Sequence, residues 1–202
     1  MRAGGFGRMV GFHGCDRSVA EKVLSGAEEI KVSKNKYDWL GWGAYFWIDN
    51  PIRALRWAQE TSLRDQKSPP TNRPAIVQPY VIGALIEAGN CLNLMNSEIM
   101  DEVVEVYGRY RDLLSKAGED PPYNTRYVKD VSFERNLDCA VFQYLHYYRQ
   151  QSNQLDYDTV IGAFFEGGPA YPTAGFHEKT HIQLAVRNPR KSILAYFRPR
   201  GL

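Results

Sequence analysis

The sequence predicts a mixed α+β protein in which a helical insertion separates early from late β-strands. Three observations support this fold class. A short apolar strand, MVGFHG, lies near the start; two helical patterns occupy residues 95–154; and three β-favouring segments follow them, namely YDTVIGAFF, THIQLAV and SILAYF. No composition shift divides the 202 residues, so we expect one domain spanning residues 1–202.

The first half of the chain alternates strands with helices. Asp16 or Ser18 is placed to cap a helix that ends at Gly26. The aromatic, alternating run WLGWGAYFWI predicts a strand, and Asn50-Pro51 opens a second helix, IRALRWAQE. Ser62 to Pro74 contain three prolines among polar residues, which predicts a surface loop. The run AIVQPYVIGALIEAGNCLNL then predicts a strand and its continuation.

The middle of the chain has helical periodicity. The two predicted helices are SEIMDEVVEVYGRYRDLLSKAG and ERNLDCAVFQYLHYYRQQ, with Glu119 to Asn124 between them. On the second helix we expect Asp138, Cys139 and His146 to pack in the structure and not to act in catalysis.

Composition and charge narrow the class of protein. Apolar residues make up 44% of the chain, enough for a folded core, but no stretch approaches the roughly 20 apolar residues of a membrane-spanning helix. We therefore expect a cytoplasmic protein whose three cysteines, Cys15, Cys91 and Cys139, are reduced thiols. The net charge is only +2, although the last 16 residues carry five basic side chains and no acid. A solvated surface is the more common explanation of such a run than a phosphate site.

Three short segments carry chemically useful groups. His13-Gly14 ends the first strand, Gly41-Trp42-Gly43-Ala44-Tyr45-Phe46 enters the next one, and a polar stretch from His177 to His181 leads into THIQLAV. Each segment is common when taken alone, and a tyrosine in an aromatic strand is more often part of a core. Their order and spacing are more specific, since His13 lies 32 positions before Tyr45.

In this order the segments resemble the His-Tyr-Glu class of ADP-ribosyltransferases. That class includes the poly-ADP-ribose polymerases, diphtheria-type toxins and several uncharacterised bacterial families. The resemblance covers Phe12 to about Gln59 in order and spacing and, more loosely, Asp156 to about Phe197. It implies a split mixed β-sheet core with a helical insertion at about residues 95–154.

The resemblance also implies NAD⁺ as co-substrate, without a metal, and roles for individual residues. His13 would hydrogen-bond the adenosine ribose, and Gly14 would let the backbone reach the nicotinamide amide. Tyr45 would stack on the nicotinamide ring beside Gly43, which gives the backbone room. Trp57 would close the other side of that ring, one position out of the family's register.

The third motif position is open among three residues. Glu178, directly before THIQLAV, is our first choice for the carboxylate that accepts the hydroxyl of the nicotinamide ribose and polarises the breaking bond. In the family the acid commonly lies within the strand, where Ile182 and Gln183 stand here, so Gln183 is the second choice. Glu166 in FFEGGP is the third, on the loop that shapes the acceptor site in this class.

An alternative enzyme class comes from the same stretch, because His177-Glu178-Lys179-Thr180-His181 is literally HExxH, the signature of zinc hydrolases. The signature needs a helix, on which the two imidazoles lie about 6 Å apart and share the metal. The surrounding glycines, prolines and β-favouring residues predict a strand instead, which would separate the histidines by about 13 Å.

These considerations give an expected function and two alternatives. We expect an NAD-dependent enzyme that moves one ADP-ribose unit to a macromolecular acceptor, either protein or nucleic acid. By resemblance it would be a bacterial toxin, effector or defence enzyme, restrained by an antitoxin or immunity partner. Hydrolysis of NAD⁺ is the same chemistry with water as acceptor. The alternatives are a non-catalytic NAD or nucleotide-binding module of the same fold and the zinc hydrolase.

Overall fold

A computed structural model describes residues 7–71, 73–128 and 131–202. Within these ranges the chain forms nine strands and five helices. The strands are β1 (Arg8–Asp16), β2 (Ala44–Ile48), β3 (Pro79–Glu87), β4 (Cys91–Asn93), β5 (Thr125–Val128), β6 (Val131–Glu134), β7 (Thr159–Phe164), β8 (His181–Val186) and β9 (Ile193–Phe197). The helices are α1 (Arg17–Leu24), α2 (Pro51–Lys67), α3 (Ser97–Ala117), α4 (Asn136–Gln151) and α5 (Pro189–Ser192).

Seven of these strands form one mixed sheet, in the order β4-β7-β8-β2-β1-β3-β9. Only β4 and β7 pair in parallel, and every other neighbouring pair in this sheet is antiparallel. The predicted mixed α+β class is therefore confirmed. The late strand β8 lies between β7 and the early strand β2, so the early and late parts of the chain meet in the middle of the sheet.

Both faces of the sheet are covered. Side chains alternate between the two faces along each strand, so each strand contributes to the packing on both sides. On one face, which we call face A, Phe46, Ile82, Ile161 and Leu184 form a core covered by helix α1. On the opposite face, face B, two further clusters form. Helix α2 packs over β1 and β3, and α4 packs over β7 and β8 with α3 outside it.

Polar residues begin the helices where the sequence predicts them. Asp16 accepts a hydrogen bond from the backbone N–H of Ser18 at the start of α1, and Asn50 accepts one from Arg53 at the start of α2. Each bond satisfies a backbone donor that has no partner within the helix. No helix in the described part of the chain is long and apolar enough to cross a membrane.

The prediction of a loop from Ser62 to Pro74 is wrong for its first six residues, Ser62 to Lys67, which are helical. Helix α2 continues to Lys67 and ends shortly before the first proline of the segment. Ser62 and Asp65 are buried although they are polar. Asp65 accepts hydrogen bonds from the Arg73 side chain and from the backbone of Ile76, so the segment after the helix folds back onto it. Local polarity could not reveal these longer-range partners.

The insertion is also less purely helical than predicted. Between α3 and α4 the chain forms a two-stranded antiparallel hairpin, β5–β6. Asn124 connects the hairpin to α4, since its side-chain oxygen accepts the backbone N–H of Leu137 and its amide donates to Asp138. The pairing of two four-residue strands is too short to leave a periodic signal in the sequence.

Candidate functional site

The large sheet opens between strands β1 and β2. β1 pairs with β3 along its whole length, from Arg8 to Asp16. It pairs with β2 only at Gly11, opposite Ile48, and at Phe12, opposite Trp47. Beyond Phe12 the two strands diverge. We call this opening, bounded by residues 13–16 and 44–45, the split.

His13 lies at the start of the split. Its Nδ1 is 2.8 Å from the carbonyl oxygen of Tyr45, and its ring lies 5.7 Å from that of Phe46. Because a carbonyl only accepts hydrogen bonds, Nδ1 carries the hydrogen and donates it. Burial lowers the pKa of His13, although the bond to Tyr45 opposes this effect. The imidazole is therefore neutral near pH 7, and its Nε2 is a hydrogen-bond acceptor.

The backbone of Tyr45 lies beside His13, but the Tyr45 side chain is on the opposite face of the sheet. Phe46, its neighbour in β2, packs with His13 on face A, so Tyr45 belongs to face B, where it contacts the cluster around Leu40. The Tyr45 hydroxyl donates to the carbonyl of Gly41 and accepts the N–H of Leu40, at 2.6 and 2.9 Å. Burial raises the pKa of Tyr45, so the phenol stays protonated.

Gly14 and Trp57 meet where helix α2 crosses the split. A Cβ atom at Gly14 would collide with the carbonyl oxygen of Ala54 in α2 and would lie 3.2 Å from the Trp57 ring. The glycine is thus required for close packing of the helix on β1. The Trp57 ring also packs against Trp47, with 5.5 Å between the ring centroids.

Strand β8 brings the C-terminal part of the site next to β2. Gln183 stands opposite Trp47 in the antiparallel register, and Ala185 stands opposite Tyr45. Gln183 is half-buried and shares face B with Trp47. Gly43 lies directly against this strand, since a Cβ there would be 2.9 Å from the Cβ of Ala185. Tyr45 and Gln183 therefore belong to one pair of strands, and Gly43 directly precedes the first of them.

Glu178 lies outside that pair of strands. It is exposed in a turn before β8, and its backbone N–H donates to the carbonyl of Gly168 at 3.0 Å. This bond belongs to the loop of residues 165–180, which connects β7 to β8. Glu178 is therefore an exposed residue of this loop, outside strand β8.

Glu166 is the carboxylate that the structure holds inside face B. Its Oε2 lies 2.7 Å from Nη2 of Arg53, and both side chains are largely buried. The nearest imidazole is that of His181, whose Nδ1 is 3.9 Å from the same oxygen. The sequence interpretation did not include Arg53. An arginine in the first turn of an amphipathic helix looks like a surface residue, and its partner is 113 positions away.

Arg53, Glu166, His181 and Trp47 form what we call the buried polar cluster. The Arg53 guanidinium lies 5.8 Å from the Trp47 ring centroid, and the Trp47 and His181 rings are 6.3 Å apart. His181 donates from Nδ1 to the carbonyl of Lys179 at 2.6 Å and stacks on Phe164. Burial is the main cause of the lowered pKa of His181, and the positive charge of Arg53 lowers it further. The His181 imidazole is neutral near pH 7.

The HExxH stretch does not form the helix on which a zinc site depends. His177 pairs with Pro169 in an isolated bridge, Glu178 and Lys179 form a turn, and His181 begins strand β8. Within the described ranges, no group of three or more His, Cys, Asp or Glu side chains is arranged to hold a metal ion. The geometry thus gives no support to the zinc hydrolase.

The basic C-terminal segment is largely neutralised within the fold. Arg187 pairs with Asp156, Arg190 with Glu29 and Lys191 with Asp158, at distances of 2.8, 2.9 and 2.6 Å. These pairs join the end of the sheet to earlier loops. They reduce the local excess of positive charge that the sequence suggested.

Two cavities of about 490 and 430 Å³ lie beside helix α4. The larger is apolar, between α3, α4 and β7, and the smaller lies under the exposed ring of Trp42. None of the site residues predicted from the sequence lines either cavity. The predicted site residues lie instead around the split and the adjoining part of face B, which we take as the candidate site.

Comparison with protein-family models, with curated proteins and with solved structures gives no match for this chain. The chain is a mixed α+β protein whose split sheet brings polar residues from both ends of the sequence together.

Proposed function

We propose that the protein is an NAD-dependent ADP-ribosyltransferase that moves one ADP-ribose unit to a macromolecular acceptor, with an ADP-ribosyltransferase-like fold. One observation carries the proposal. Strands β1, β2 and β8 are neighbours in the sheet, so His13, Tyr45 and Gln183, from the two ends of the chain, lie on adjacent strands, with His13 bonded to the Tyr45 carbonyl at the split. The His13 ring lies on face A, and the Tyr45 and Gln183 side chains lie on face B. This is the order of motif residues that the resemblance requires.

The state of His13 supports a role in nucleotide binding. Because Nδ1 is engaged with the Tyr45 carbonyl, the neutral ring offers Nε2 as an acceptor for a hydroxyl group. A ribose hydroxyl is such a group. A bidentate grip on a phosphate would instead need donors.

The expected chemistry needs little more than binding and charge stabilisation. The bond between nicotinamide and the ribose carbon breaks through an oxocarbenium-like state, the acceptor oxygen or nitrogen forms a bond to that carbon, and its proton leaves to solvent. An amide or carboxylate oxygen near the ribose stabilises the developing positive charge. Gln183 and Glu166 lie on face B beside Trp47, so the geometry favours them over Glu178 for this role.

The experiment incubates the protein with NAD⁺ that carries a tagged adenine. Free nicotinamide reports turnover, and nuclease or protease treatment of the labelled fraction reports the acceptor class. Glu166→Gln and Gln183→Ala are expected to lower nicotinamide release about a hundredfold or more. Glu178→Gln, which changes an exposed side chain, is the matched control and is expected to lower it less than threefold.

Tyr45 offers a sharper control within one position. If its ring stacks on nicotinamide, Tyr45→Phe keeps most turnover although it loses the hydroxyl bonds to Leu40 and Gly41. Tyr45→Ala removes the ring and abolishes turnover. If the wild-type protein binds NAD⁺ but releases no nicotinamide, the proposed enzymatic activity is contradicted.

That outcome would support a second candidate, a non-catalytic NAD or nucleotide-binding module of the same fold. The observation that favours it is the exposed position of Glu178, outside strand β8 and away from face B. In a module, His13→Ala weakens NAD⁺ binding, while Glu166→Gln and Glu178→Gln have equal and small effects. Calorimetric titration of NAD⁺ into the three variants separates the two candidates.

A further inference from the structure

Four polar atoms of the buried polar cluster have no hydrogen-bond partner and no contact with solvent. They are Nε1 of Trp47, Nε and Nη1 of Arg53, and Nε2 of His181. The three residues expose only 3%, 6% and 5% of their surface, respectively. Buried polar groups in proteins are nearly always hydrogen-bonded, so four such atoms in one cluster indicate a place where a further polar group binds.

The four atoms define the chemistry of that group. The indole and guanidinium nitrogens carry hydrogens and only donate. His181 already donates from Nδ1 to the carbonyl of Lys179, so its neutral ring presents Nε2 as an acceptor. A single group that satisfied these atoms would offer an acceptor oxygen to Arg53 and Trp47 together with a hydrogen for His181.

Charge and shape narrow the choice further. The positive charge of Arg53 is balanced by Glu166 at 2.7 Å, and Arg135, which also interacts with Glu166, pairs with Asp138 at 3.8 Å. An anion entering the cluster would therefore meet a carboxylate and no unbalanced cation among these residues. A neutral group is favoured. The neighbouring groups are flat, since the Trp47 ring packs against Trp57 and the His181 ring stacks on Phe164. Flat neighbours favour a planar group.

We propose that the buried polar cluster binds a planar amide, whose carbonyl oxygen accepts hydrogen bonds from Arg53 and Trp47 and whose N–H donates to His181. Two ligands share this chemistry, namely the carboxamide of nicotinamide and the lactam edge of a nucleobase. The inference deepens the proposed function and rests on it only for the choice of nicotinamide as the first probe. It assigns the amide to side chains of α2, β2 and β8 and not to the Gly14 backbone that the resemblance implies.

The loop of residues 165–180 contacts the cluster near both of its ends. Glu166 and Lys179, near its two ends, contact helix α2 through ion pairs with Arg53 and Glu60. Lys179 also supplies the carbonyl that orients His181. In this proposal a ligand enters by movement of the part of the loop between Glu166 and Lys179, while these two residues keep their contacts with Arg53 and His181.

The test titrates the ¹⁵N-labelled full-length chain with nicotinamide and follows the indole N–H signal of Trp47 by NMR. Trp47→Phe assigns the signal and removes one donor while keeping an aromatic ring. Nicotinate is the matched control ligand, because it differs from nicotinamide only in carrying a carboxylate. Uracil supplies a lactam without the pyridine ring.

The expected result is a shift of the Trp47 signal with nicotinamide or uracil and at least tenfold weaker binding of nicotinate. Trp47→Phe weakens binding about threefold to tenfold, the effect of one hydrogen bond. Arg53→Lys keeps the charge opposite Glu166 but loses the fork of donors, and weakens it about tenfold. Trp42→Phe, at an exposed indole outside the cluster, leaves the affinity unchanged.

Three outcomes overturn the inference: nicotinate binding as tightly as nicotinamide, unchanged affinity in Trp47→Phe, or no shift of the Trp47 signal with either amide. A uracil response alone supports it and identifies a nucleobase as the ligand. The proposed function fails separately. A protein that binds nicotinamide at Trp47 but releases none from NAD⁺ retains the amide site and is not a transferase.

Discussion

His13 donates a hydrogen bond from Nδ1 to the backbone carbonyl of Tyr45, 2.8 Å away, at the point where strands β1 and β2 separate. A side chain thus replaces the ladder bond that the diverging strands no longer make. The bond also fixes the tautomer of His13. One interaction thus stabilises the split and leaves Nε2 as the hydrogen-bond acceptor of the imidazole.

The first prediction concerns that bond. His13→Ala leaves the Tyr45 carbonyl without its side-chain donor and is expected to lower the free energy of unfolding by about 1–3 kcal/mol. His13→Asn retains a donor of shorter reach and recovers part of the loss. Urea denaturation measures both variants. Equal stability of the alanine variant and the wild type would show that the bond does not support the split.

The second prediction uses two glycines with opposite surroundings. Gly14→Ala places a methyl group against the Ala54 carbonyl and forces α2 away from β1, which is expected to cost about 1–3 kcal/mol. Gly108→Ala changes a helical glycine with no neighbouring atom within 4 Å and is expected to stabilise by about 1 kcal/mol. Thermal unfolding of the pair distinguishes packing at the split from a general effect of glycine replacement.

Much of the fold could be predicted from the sequence, because strands and helices leave periodic signals. The segments of β1, β2, β7, β8 and β9 and the capping residues Asp16 and Asn50 all follow from local patterns. The site could be predicted only in part. His13 and Tyr45 are identified by spacing, but their bond depends on where the β1–β2 ladder stops.

Arg53 and Glu166 show why the rest could not be predicted. Their ion pair joins helix α2 to the loop after β7 across 113 positions, and although the resemblance makes Glu166 a candidate, no local pattern indicates that Arg53 is its partner. Glu178 is the first choice for the carboxylate because it lies shortly before a predicted strand, but its side chain is exposed in a turn. Proximity in sequence to a strand did not indicate which carboxylate faces the core.

The third prediction compares the two ion pairs that hold the loop of residues 165–180 to α2. Arg53→Ala leaves the Glu166 carboxylate largely buried without its partner and is expected to cost about 3 kcal/mol. Lys179→Ala breaks the pair with Glu60, whose side chains are 33% and 42% exposed, and costs less than about 1 kcal/mol. Chemical denaturation in low and high salt measures both. Similar losses in the two variants would contradict the burial of the Arg53 pair.

The fourth prediction concerns stability at acidic pH and depends on His146 in helix α4. Burial, reinforced by the charge of Arg187, lowers the pKa of His146 from 6.5 to about 4, although Asp156 at 3.2 Å opposes the shift. Above pH 6.5 the imidazole is neutral in both the folded and the unfolded chain, so its contribution to stability is complete.

Between pH 6.5 and about 4 the unfolded chain takes up a proton at this position and the folded chain does not. The free energy of unfolding therefore decreases as the pH falls through this window, by roughly 3 kcal/mol in total from His146. His146→Gln retains an amide that can donate to Asp156 but has no proton to gain. Urea denaturation at several pH values should give a shallower decrease for this variant than for the wild type.

His13 and His181 have lowered pKa values as well and contribute in the same direction to both proteins. Parallel profiles for the variant and the wild type would mean that His146 is protonated in the folded chain, beside Asp156.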